Sequence, residues 1–144
     1  MSPGETTDVG VTVDVGTGLF VPVVRNAAAI GLGDVADQLM DFRVKAMRKA
    51  FHEDDLAGGQ ITLSLNTDND VLWAVPIILP PQVCIVSLGS VQPELTLGED
   101  GQPRQRSCCT VGMTYDHRVI NGQDAVEFLT AFKQAVERPL KEAL

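Results

Sequence analysis

The amino-acid sequence predicts an α/β fold in which a mixed β-sheet carries helices packed on one face. Short apolar runs bounded by Gly, Pro and Asp recur from residue 9 to residue 115, which is typical of strands. Two longer stretches repeat apolar residues at three- and four-residue steps, which is typical of amphipathic helices. The 144 residues suit one compact domain, so we expect roughly six or seven strands and two helices around one core.

The first strands follow a short polar segment. Residues 1–8 contain Pro and Gly and are predicted to form a loose lead-in. Residues 9–15 alternate apolar and polar side chains, which predicts a strand. After a GTG turn, residues 19–24 predict a second strand. Pro22 favours an edge position or a bulge there, because proline cannot donate a ladder hydrogen bond.

The first helix is predicted to run from Asp34, a favourable N-cap, to about residue 50. Its apolar side chains form one stripe, and the charged face opposite is interpreted as solvated surface. His52 follows the helix among acidic residues and is also interpreted as a surface residue. The stripe consists of Val35, Leu39, Phe42, Ala46 and Ala50.

The second half of the chain predicts three further features of the sheet and one helix. Residues 60–65 predict a strand, and the nearly continuous apolar run 83–91 predicts a central strand covered on both faces. Residues 94–115 predict a hairpin with its turn at GEDGQP. Residues 123–138 predict the second helix, whose apolar positions again recur at helical spacing.

Composition excludes several classes of function. The net charge is −8 and there is no basic stripe, which argues against nucleic-acid binding. Cys84, Cys108 and Cys109 are odd in number and lack CxxC spacing, which argues against a disulfide framework and against zinc. We interpret them as structural thiols in a reducing cytoplasm. Neither a signal peptide nor an apolar run of membrane-spanning length is visible, so a cytoplasmic protein is expected.

The segment DHRVING stands between a predicted strand and the second helix. His117 is a group that can take up a proton near neutral pH, and a loop between two rigid elements would expose it and hold it in place. Asn121 could hydrogen-bond the backbone or the imidazole, and Gly122 permits a close approach before the helix. From these residues alone a structural role is favoured over catalysis, in which Asp116 and Arg118 form an ion pair and His117 fills a polar corner.

The same segment resembles the DHRxxDG signature of dihydrolipoamide acyltransferases, the E2 components of 2-oxo acid dehydrogenase complexes. Asn121 stands where most members of that family have Asp. The resemblance implies a chloramphenicol-acetyltransferase-like fold, that of the CoA-dependent acyltransferases. It extends over residues 9–144 as the later part of the catalytic domain. It is carried by VGVTVDVGTGLFVPVVRNA, GGQITLSL and VPIILPPQVCIVSLGSV, which occur in the family's order.

The resemblance implies a role for each matching residue. His117 would be the general base that takes the proton of a thiol, and the thiolate would attack the acyl thioester directly. Ser64 would donate a hydrogen bond to the tetrahedral oxyanion. Asn121 would support the loop, and could hold the imidazole, but as a neutral amide it cannot stabilise an imidazolium by charge.

The remaining residues of the motif are expected to support it. Asp116 and Arg118 would form an ion pair that aims the loop, and Gly122 would serve the backbone. The substrates implied are a lipoyl group carried on another domain or chain, and coenzyme A or phosphopantetheine. No metal is expected.

The resemblance also implies partners. The family's active site lies between subunits of a trimer, with His from one subunit and Ser from its neighbour. We therefore expect a homotrimer, or a larger core if Leu140 and Leu144 in the tail link trimers. The family's opening helix and early strands have no counterpart in this chain, which suggests a second chain that supplies them. An E1-type enzyme, a lipoyl protein or a carrier protein would be the further partner.

Three hypotheses on function remain open at this point. The chain is one part of a split acyltransferase, or it is a biosynthetic enzyme that transfers an acyl group to a carrier protein. Alternatively it is a non-catalytic scaffold that keeps the trimeric core and binds a partner complex.

Overall fold

A computed structural model describes residues 7–16, 18–68 and 70–137 of the chain. The lead-in residues 1–6 and the predicted tail contacts of Leu140 and Leu144 lie outside these residues. The strands are β1 (Val9–Val11), β2 (Val13–Asp14), β3 (Leu19–Phe20), β4 (Val23–Val24), β5 (Ile61–Leu65), β6 (Cys84–Leu88), β7 (Gln92–Leu97), β8 (Pro103–Cys108) and β9 (Val111–Tyr115), and the helices are α1 (Leu32–Arg48), α2 (Glu53–Leu56) and α3 (Gly122–Glu137).

The main sheet has five strands in the order β4-β1-β5-β6-β9. Strands β1, β5 and β6 run parallel to one another, while β4 and β9 are antiparallel to their neighbours. The mixed sheet predicted from the sequence is therefore confirmed. The apolar run around β6 is central as predicted, with Ile85, Val86 and Ser87 buried between β5 and β9.

Both predicted N-terminal strands are interrupted. The first divides into β1 and β2 at Thr12, whose side-chain oxygen accepts a hydrogen bond from the Leu65 amide at 2.9 Å. The second divides into β3 and β4 around Pro22, where proline has no amide hydrogen to continue a ladder. As a result β2 and β3 leave the main sheet and pair with each other.

Helix α1 begins two residues before the predicted start. Its N-cap is Gly31, and Asp34 lies in the first turn, so the prediction that Asp34 is the N-cap was wrong. A carboxylate in the first turn still stabilises the helix through the positive end of its dipole. The helix ends at Arg48 because Lys49 takes a left-handed conformation with φ 52°, which leaves Ala50 outside the helix.

The hydrophobic core lies between α1 and one face of the main sheet. Phe42 and Ala46 of α1 are buried against Val11, Val13 and Val24. Helix α3 covers the same face of the sheet beside β9. Leu129 of α3 lines a cavity together with Val111 of β9. Val111 is the register partner of Leu88 on β6, and Leu88 is the register partner of Leu65 on β5, so these three side chains lie on the same face of the sheet. Both long helices therefore pack on one face, as predicted.

Within the predicted hairpin of residues 94–115, only β7 and β8 pair with each other. Its turn lies where predicted, with the Gly98 amide donating to the Gln102 carbonyl at 2.8 Å and Gly101 at φ 73°. Strand β9 instead joins the main sheet beside β6. The strand that leads into DHRVING is therefore held by the main sheet and not by the hairpin.

The face of the sheet opposite the helices is lined by small and polar side chains, and the extended segment 71–79 crosses part of it. The Ser87 hydroxyl donates to the Ala74 carbonyl at 2.9 Å. A Cβ at Gly89 would lie 2.1 Å from the Leu72 carbonyl oxygen, so only glycine fits beneath the segment. The outward side chains of the segment are strongly exposed: Trp73 67%, Val75 70% and Ile77 85%.

The end of the predicted lead-in is attached to the fold. The Thr7 carbonyl accepts from the Ala27 amide at 2.7 Å, and the Asp8 carboxylate pairs with Arg25 at 3.1 Å. Arg25 also donates to the carbonyls of Asp54 and Ala57, so it joins the start of the chain to α2. In the described part of the chain, no helix is both long enough and apolar enough to cross a bilayer.

Candidate active site

The DHRVING loop begins where β9 ends and is fixed by its own side chains. The Asp116 amide donates to the Val83 carbonyl at 2.8 Å, which keeps the loop attached to β6. The Asp116 carboxylate then accepts from the Arg118 side chain at 2.6 Å and from the Arg118 amide at 3.0 Å. The expected ion pair is therefore formed. The Arg118 guanidinium lowers the pKa of Asp116 to about 2, so this carboxylate stays charged near neutral pH.

Asn121 is the N-cap of helix α3. Its side-chain oxygen accepts from the amides of Gln123 and Asp124, at 2.9 and 3.1 Å. The Asp124 carboxylate in turn accepts from the Asn121 amide at 3.2 Å, which completes a reciprocal capping arrangement. Of the two roles considered from the sequence, the structure places the side-chain oxygen of Asn121 on the backbone and not on the imidazole.

His117 projects from this loop and is exposed. Among the described residues, its imidazole forms neither a hydrogen bond nor an ion pair. Its ring lies beside that of Tyr115, with the ring centroids 5.6 Å apart and the planes at 41°. An imidazole whose nitrogens make no protein hydrogen bond is available to an approaching thiol.

Ser64 lies on β5, on the sheet face opposite the helices. Its register partner on β6 is Ser87, which in turn pairs with Gly112 on β9. The Ser64 hydroxyl oxygen accepts from the Asn66 side chain at 3.4 Å, and no described residue accepts a hydrogen bond from it. The hydroxyl hydrogen therefore remains free to donate to a ligand. Asn66 was not predicted from the sequence as a neighbour of Ser64, although its position two residues later places it on the same side of the chain.

One chain does not bring Ser64 and His117 together. Ser64 is level with Gly112 in the sheet, and Tyr115 lies three residues further along β9. Three residues of strand and two strand spacings put Ser64 roughly 14 Å from Tyr115. His117 lies beyond Tyr115, past the end of the sheet. Hydrogen bonding to one reacting group needs both side chains within about 3 Å of it, so one chain carries two separate halves of the expected site.

An open cavity lies near each of the two ends of the central strands of the sheet. The cavity beside Ser64, at the C-terminal end of β5, has a volume of about 520 Å³. Its wall includes Asn66, Asp14, Asp68 and Arg43. The cavity at the N-terminal ends of β5 and β6 has a volume of about 590 Å³ and reaches Val83, next to the DHRVING loop. Its wall carries no charged side chain. The two cavities therefore differ in the charge of their walls.

The other residues considered from the sequence belong to neither half of the site, although Cys84 on β6 is the register partner of Tyr115. His52 is exposed at the N-cap of α2, and its amide donates to Asp55 at 2.9 Å, as befits the expected surface residue. Burial raises the pKa of the half-buried Cys84. The Glu94 carboxylate beside Cys108 raises the pKa of that thiol. Thiols with raised pKa are poor nucleophiles near neutral pH, which agrees with a structural interpretation.

Comparison with known proteins decides the family. The family model "2-oxoacid dehydrogenases acyltransferase (catalytic domain)" matches residues 3–144. The chain belongs to this family. It is 34% identical, over 134 residues, to the dihydrolipoyllysine-residue succinyltransferase component of the 2-oxoglutarate dehydrogenase complex of Pseudomonas aeruginosa. That match covers 93% of this chain and 32% of the relative, so the chain spans about a third of the length of that protein.

Solved structures agree with the fold. A probable dihydrolipoamide acetyltransferase from Listeria monocytogenes superposes with a TM-score of 0.87 and 26% identity, over 95% of this chain and 58% of that one. The dihydrolipoamide acetyltransferase of Azotobacter vinelandii gives a TM-score of 0.81 and 26% identity, over 89% and 52%. The predicted acyltransferase fold is therefore confirmed, and the chain is similar to a little over half of these two structures.

Proposed function

We propose that the chain supplies an acyl-transfer site, in which His117 of one copy and Ser64 of a second copy act on the same thioester. The reaction would move an acyl group between dihydrolipoamide and a second thiol. The observation that carries this proposal is the pair of separated half-sites. His117 has an imidazole without a protein hydrogen bond, Ser64 has a hydroxyl free to donate, and the sheet holds them apart within one chain.

The chemistry needs no acyl-enzyme intermediate. The imidazole of His117 takes the proton of the attacking thiol, and the thiolate forms a C–S bond to the carbonyl carbon of the thioester. The Ser64 hydroxyl donates to the resulting oxyanion. The C–S bond to the leaving thiol then breaks, and that thiolate takes the proton back from His117. No proton is gained or lost overall, so one base serves both directions of the reaction.

A homotrimer would bring the two halves together. Ser64 lies on the sheet face that carries the segment 71–79, whose side chains Trp73, Val75 and Ile77 point into solvent in the single chain. Monomers rarely leave such contiguous apolar surface uncovered. A second copy placed on this face would cover it and bring its His117 towards Ser64.

The Azotobacter vinelandii enzyme supports the same assignment of residues. Its structure was determined to examine the role of a serine, a histidine and an asparagine in its catalytic mechanism. Its histidine and asparagine stand four positions apart, as His117 and Asn121 do. Its serine precedes its histidine by fifty-two positions, and Ser64 precedes His117 by fifty-three.

Mixing of two inactive variants tests the shared site. His117→Ala and Ser64→Ala should each abolish most transfer from acylated dihydrolipoamide to coenzyme A. When the two variants are co-assembled, interfaces that pair the intact serine of one with the intact histidine of the other should recover about a quarter of the wild-type activity. A mixture as inactive as its components would contradict a site formed between copies.

The acyl group and the acceptor follow from a competition assay. The relatives named above include a succinyltransferase and acetyltransferases, so succinyl and acetyl donors should be compared. Coenzyme A and a phosphopantetheine carrier protein should then be offered as acceptors under the same conditions. A preference for the carrier protein would favour a biosynthetic acyltransferase over a component of a dehydrogenase complex.

A split enzyme remains the preferred form of this proposal, with a second polypeptide that completes the catalytic domain. It predicts little transfer by the chain alone and transfer when the partner chain is added, with an E1-type or lipoyl protein as donor, so under this form the variants are assayed with the partner chain present. Full activity of the chain alone would contradict the split. A complex that assembles and functions normally with His117→Ala would favour the scaffold hypothesis instead.

A further inference from the structure

We propose that Tyr115 is the positioning residue for His117, and that its aromatic ring, not its hydroxyl, sets the direction of the imidazole. This inference rests on the proposed function, since it assigns a residue to the same site. Tyr115 is the last residue of β9 and lies two positions before the histidine. Its ring centroid is 5.6 Å from that of His117, with the planes tilted by 41°.

The polar side chains that could orient the imidazole are committed elsewhere. A general-base histidine is usually held by a carboxylate or carbonyl at its second nitrogen. Here the Asp116 carboxylate is bound by Arg118, and the side-chain oxygen of Asn121 accepts from the first amides of α3. Ring contact with Tyr115 therefore replaces the usual hydrogen bond as the restraint on the imidazole.

The Tyr115 ring is itself well supported. Its backbone pairs with Cys84 in the main sheet, and the residue is half-buried. Its hydroxyl lies close to the start of α3, because a Cβ at Gly122 would be 3.9 Å from it. The ring thus stands between the sheet and the helix, which both hold it still. A side chain supported in this way can hold a neighbour in a productive direction.

This arrangement has a chemical consequence. A base contributes its full effect only when its nitrogen points at the proton to be removed, and small misplacements are costly. An imidazole freed from the ring would sample several rotamers and lose part of the ~10² to 10⁴-fold contribution of a general base. Substrate binding does not depend on the direction of this nitrogen, so the loss should fall on kcat and not on KM.

Three variants test the proposal. Tyr115→Leu removes the ring, Tyr115→Phe keeps the ring without the hydroxyl, and Phe128→Leu removes an aromatic ring from α3, where it contacts Phe132. The first should lower kcat about tenfold with KM unchanged. The second and third should retain wild-type kcat. A Tyr115→Phe variant as impaired as Tyr115→Leu would overturn the role of the ring.

Nuclear magnetic resonance of the histidine side chains gives a measurement that does not need activity. The chain has two histidines, and a His52→Ser variant assigns their signals. In Tyr115→Leu, the His117 imidazole protons should move towards the shifts of free histidine, since the ring current is lost, while His52 is unchanged. Unchanged His117 signals would overturn the proposal. Moved signals in a protein without transferase activity would refute the proposed function alone.

Folding is monitored by the unfolding transition of each variant. If Tyr115→Leu does not fold, Tyr115→Met replaces it, because methionine is unbranched and flexible, fills an irregular gap more readily, and has no aromatic ring. The same two readouts then apply, with the same expected losses.

Discussion

Ser64 and His117 are held in place in two different ways. Ser64 lies inside the five-stranded sheet, where β5 is paired on both sides and the register with β1 and β6 fixes its height. His117 lies in a loop whose side-chain contacts fall within about ten residues of sequence, from Tyr115 to Asp124, while one backbone hydrogen bond, from Asp116 to Val83, attaches the loop to β6. The serine thus depends on strands that are distant in sequence, whereas the histidine depends on its near neighbours.

The difference explains what a short motif can convey. The DHRVING segment contains nearly all of the contacts that shape its own loop, so the segment alone indicates a loop that presents a histidine. The LSL sequence around Ser64 contains none of the contacts that place it. Its position relative to the histidine follows from the sheet, and the sheet separates the two. Four predictions test this contrast, beginning with the largest expected effect.

The first prediction concerns the base. His117→Ala should lower kcat for acyl transfer by ~10² to 10⁴-fold, because the attacking thiol loses its proton acceptor. His52→Ala is the matched control, since the other histidine is exposed at α2 and should leave the rate unchanged. Steady-state kinetics with coenzyme A as acceptor measures both. Equal losses of kcat in the two variants would contradict the assignment of His117, and not His52, as the general base.

The second prediction concerns the oxyanion. Ser64→Ala should lower kcat by ~10² to 10³-fold with little effect on folding, because the donor acts on charge that develops in the transition state. Ser107→Ala on β8 is the control, since that serine is exposed and lies outside the main sheet. A Ser64→Ala variant with wild-type kcat would leave Ser64 as an ordinary strand residue.

The third prediction concerns the N-cap. Asn121→Ala should lower the free energy of unfolding by about 1 kcal/mol, because two amides at the start of α3 lose their acceptor. Asn121→Asp should retain the stability, since a carboxylate caps equally well. Urea unfolding measures both. If Asn121→Ala impairs transfer strongly without any loss of stability, Asn121 acts on the imidazole and not on the helix.

The fourth prediction concerns the ion pair and its pH dependence. The pKa of Asp116 is lowered to about 2 by Arg118, against about 3.9 for an unfolded chain. A lowered carboxyl pKa stabilises the folded state above the unfolded value, and this contribution is lost as the pH falls towards the folded value. Asp116→Asn should therefore be less stable than wild type near pH 7, and the difference should shrink between about pH 4 and about pH 2.

The control for this prediction is the Asp100–Arg104 pair in the hairpin turn. Asp100→Asn should show a similar pH dependence without any effect on acyl transfer, since the hairpin stands apart from the main sheet. Asp116→Asn should lower the rate modestly because the loop is less well fixed. A difference in unfolding free energy that grows on acidification would contradict the assigned sign.

Much of the fold could be predicted from local patterns. The apolar spacing indicated α1 and α3 to within two residues, the continuous apolar run indicated β6, and the GEDGQP sequence indicated the turn. Boundaries that depend on competing contacts were missed. Asp34 would be a good N-cap, but the helix begins at Leu32 with Gly31 as its N-cap. Thr12 interrupts a predicted strand, where its side-chain oxygen accepts a hydrogen bond from the Leu65 amide.

The sequence by itself determined the character of the DHRVING loop, including the Asp116–Arg118 pair and a small residue at the start of α3. These contacts span few residues, so little chain entropy opposes them and the local residue types suffice. Only the tertiary structure decided that β9 joins the main sheet and that Ser64, on the middle strand, lies well away from the end of β9 that leads to His117. Strand order depends on contacts between residues far apart in the chain, and local patterns do not specify such contacts.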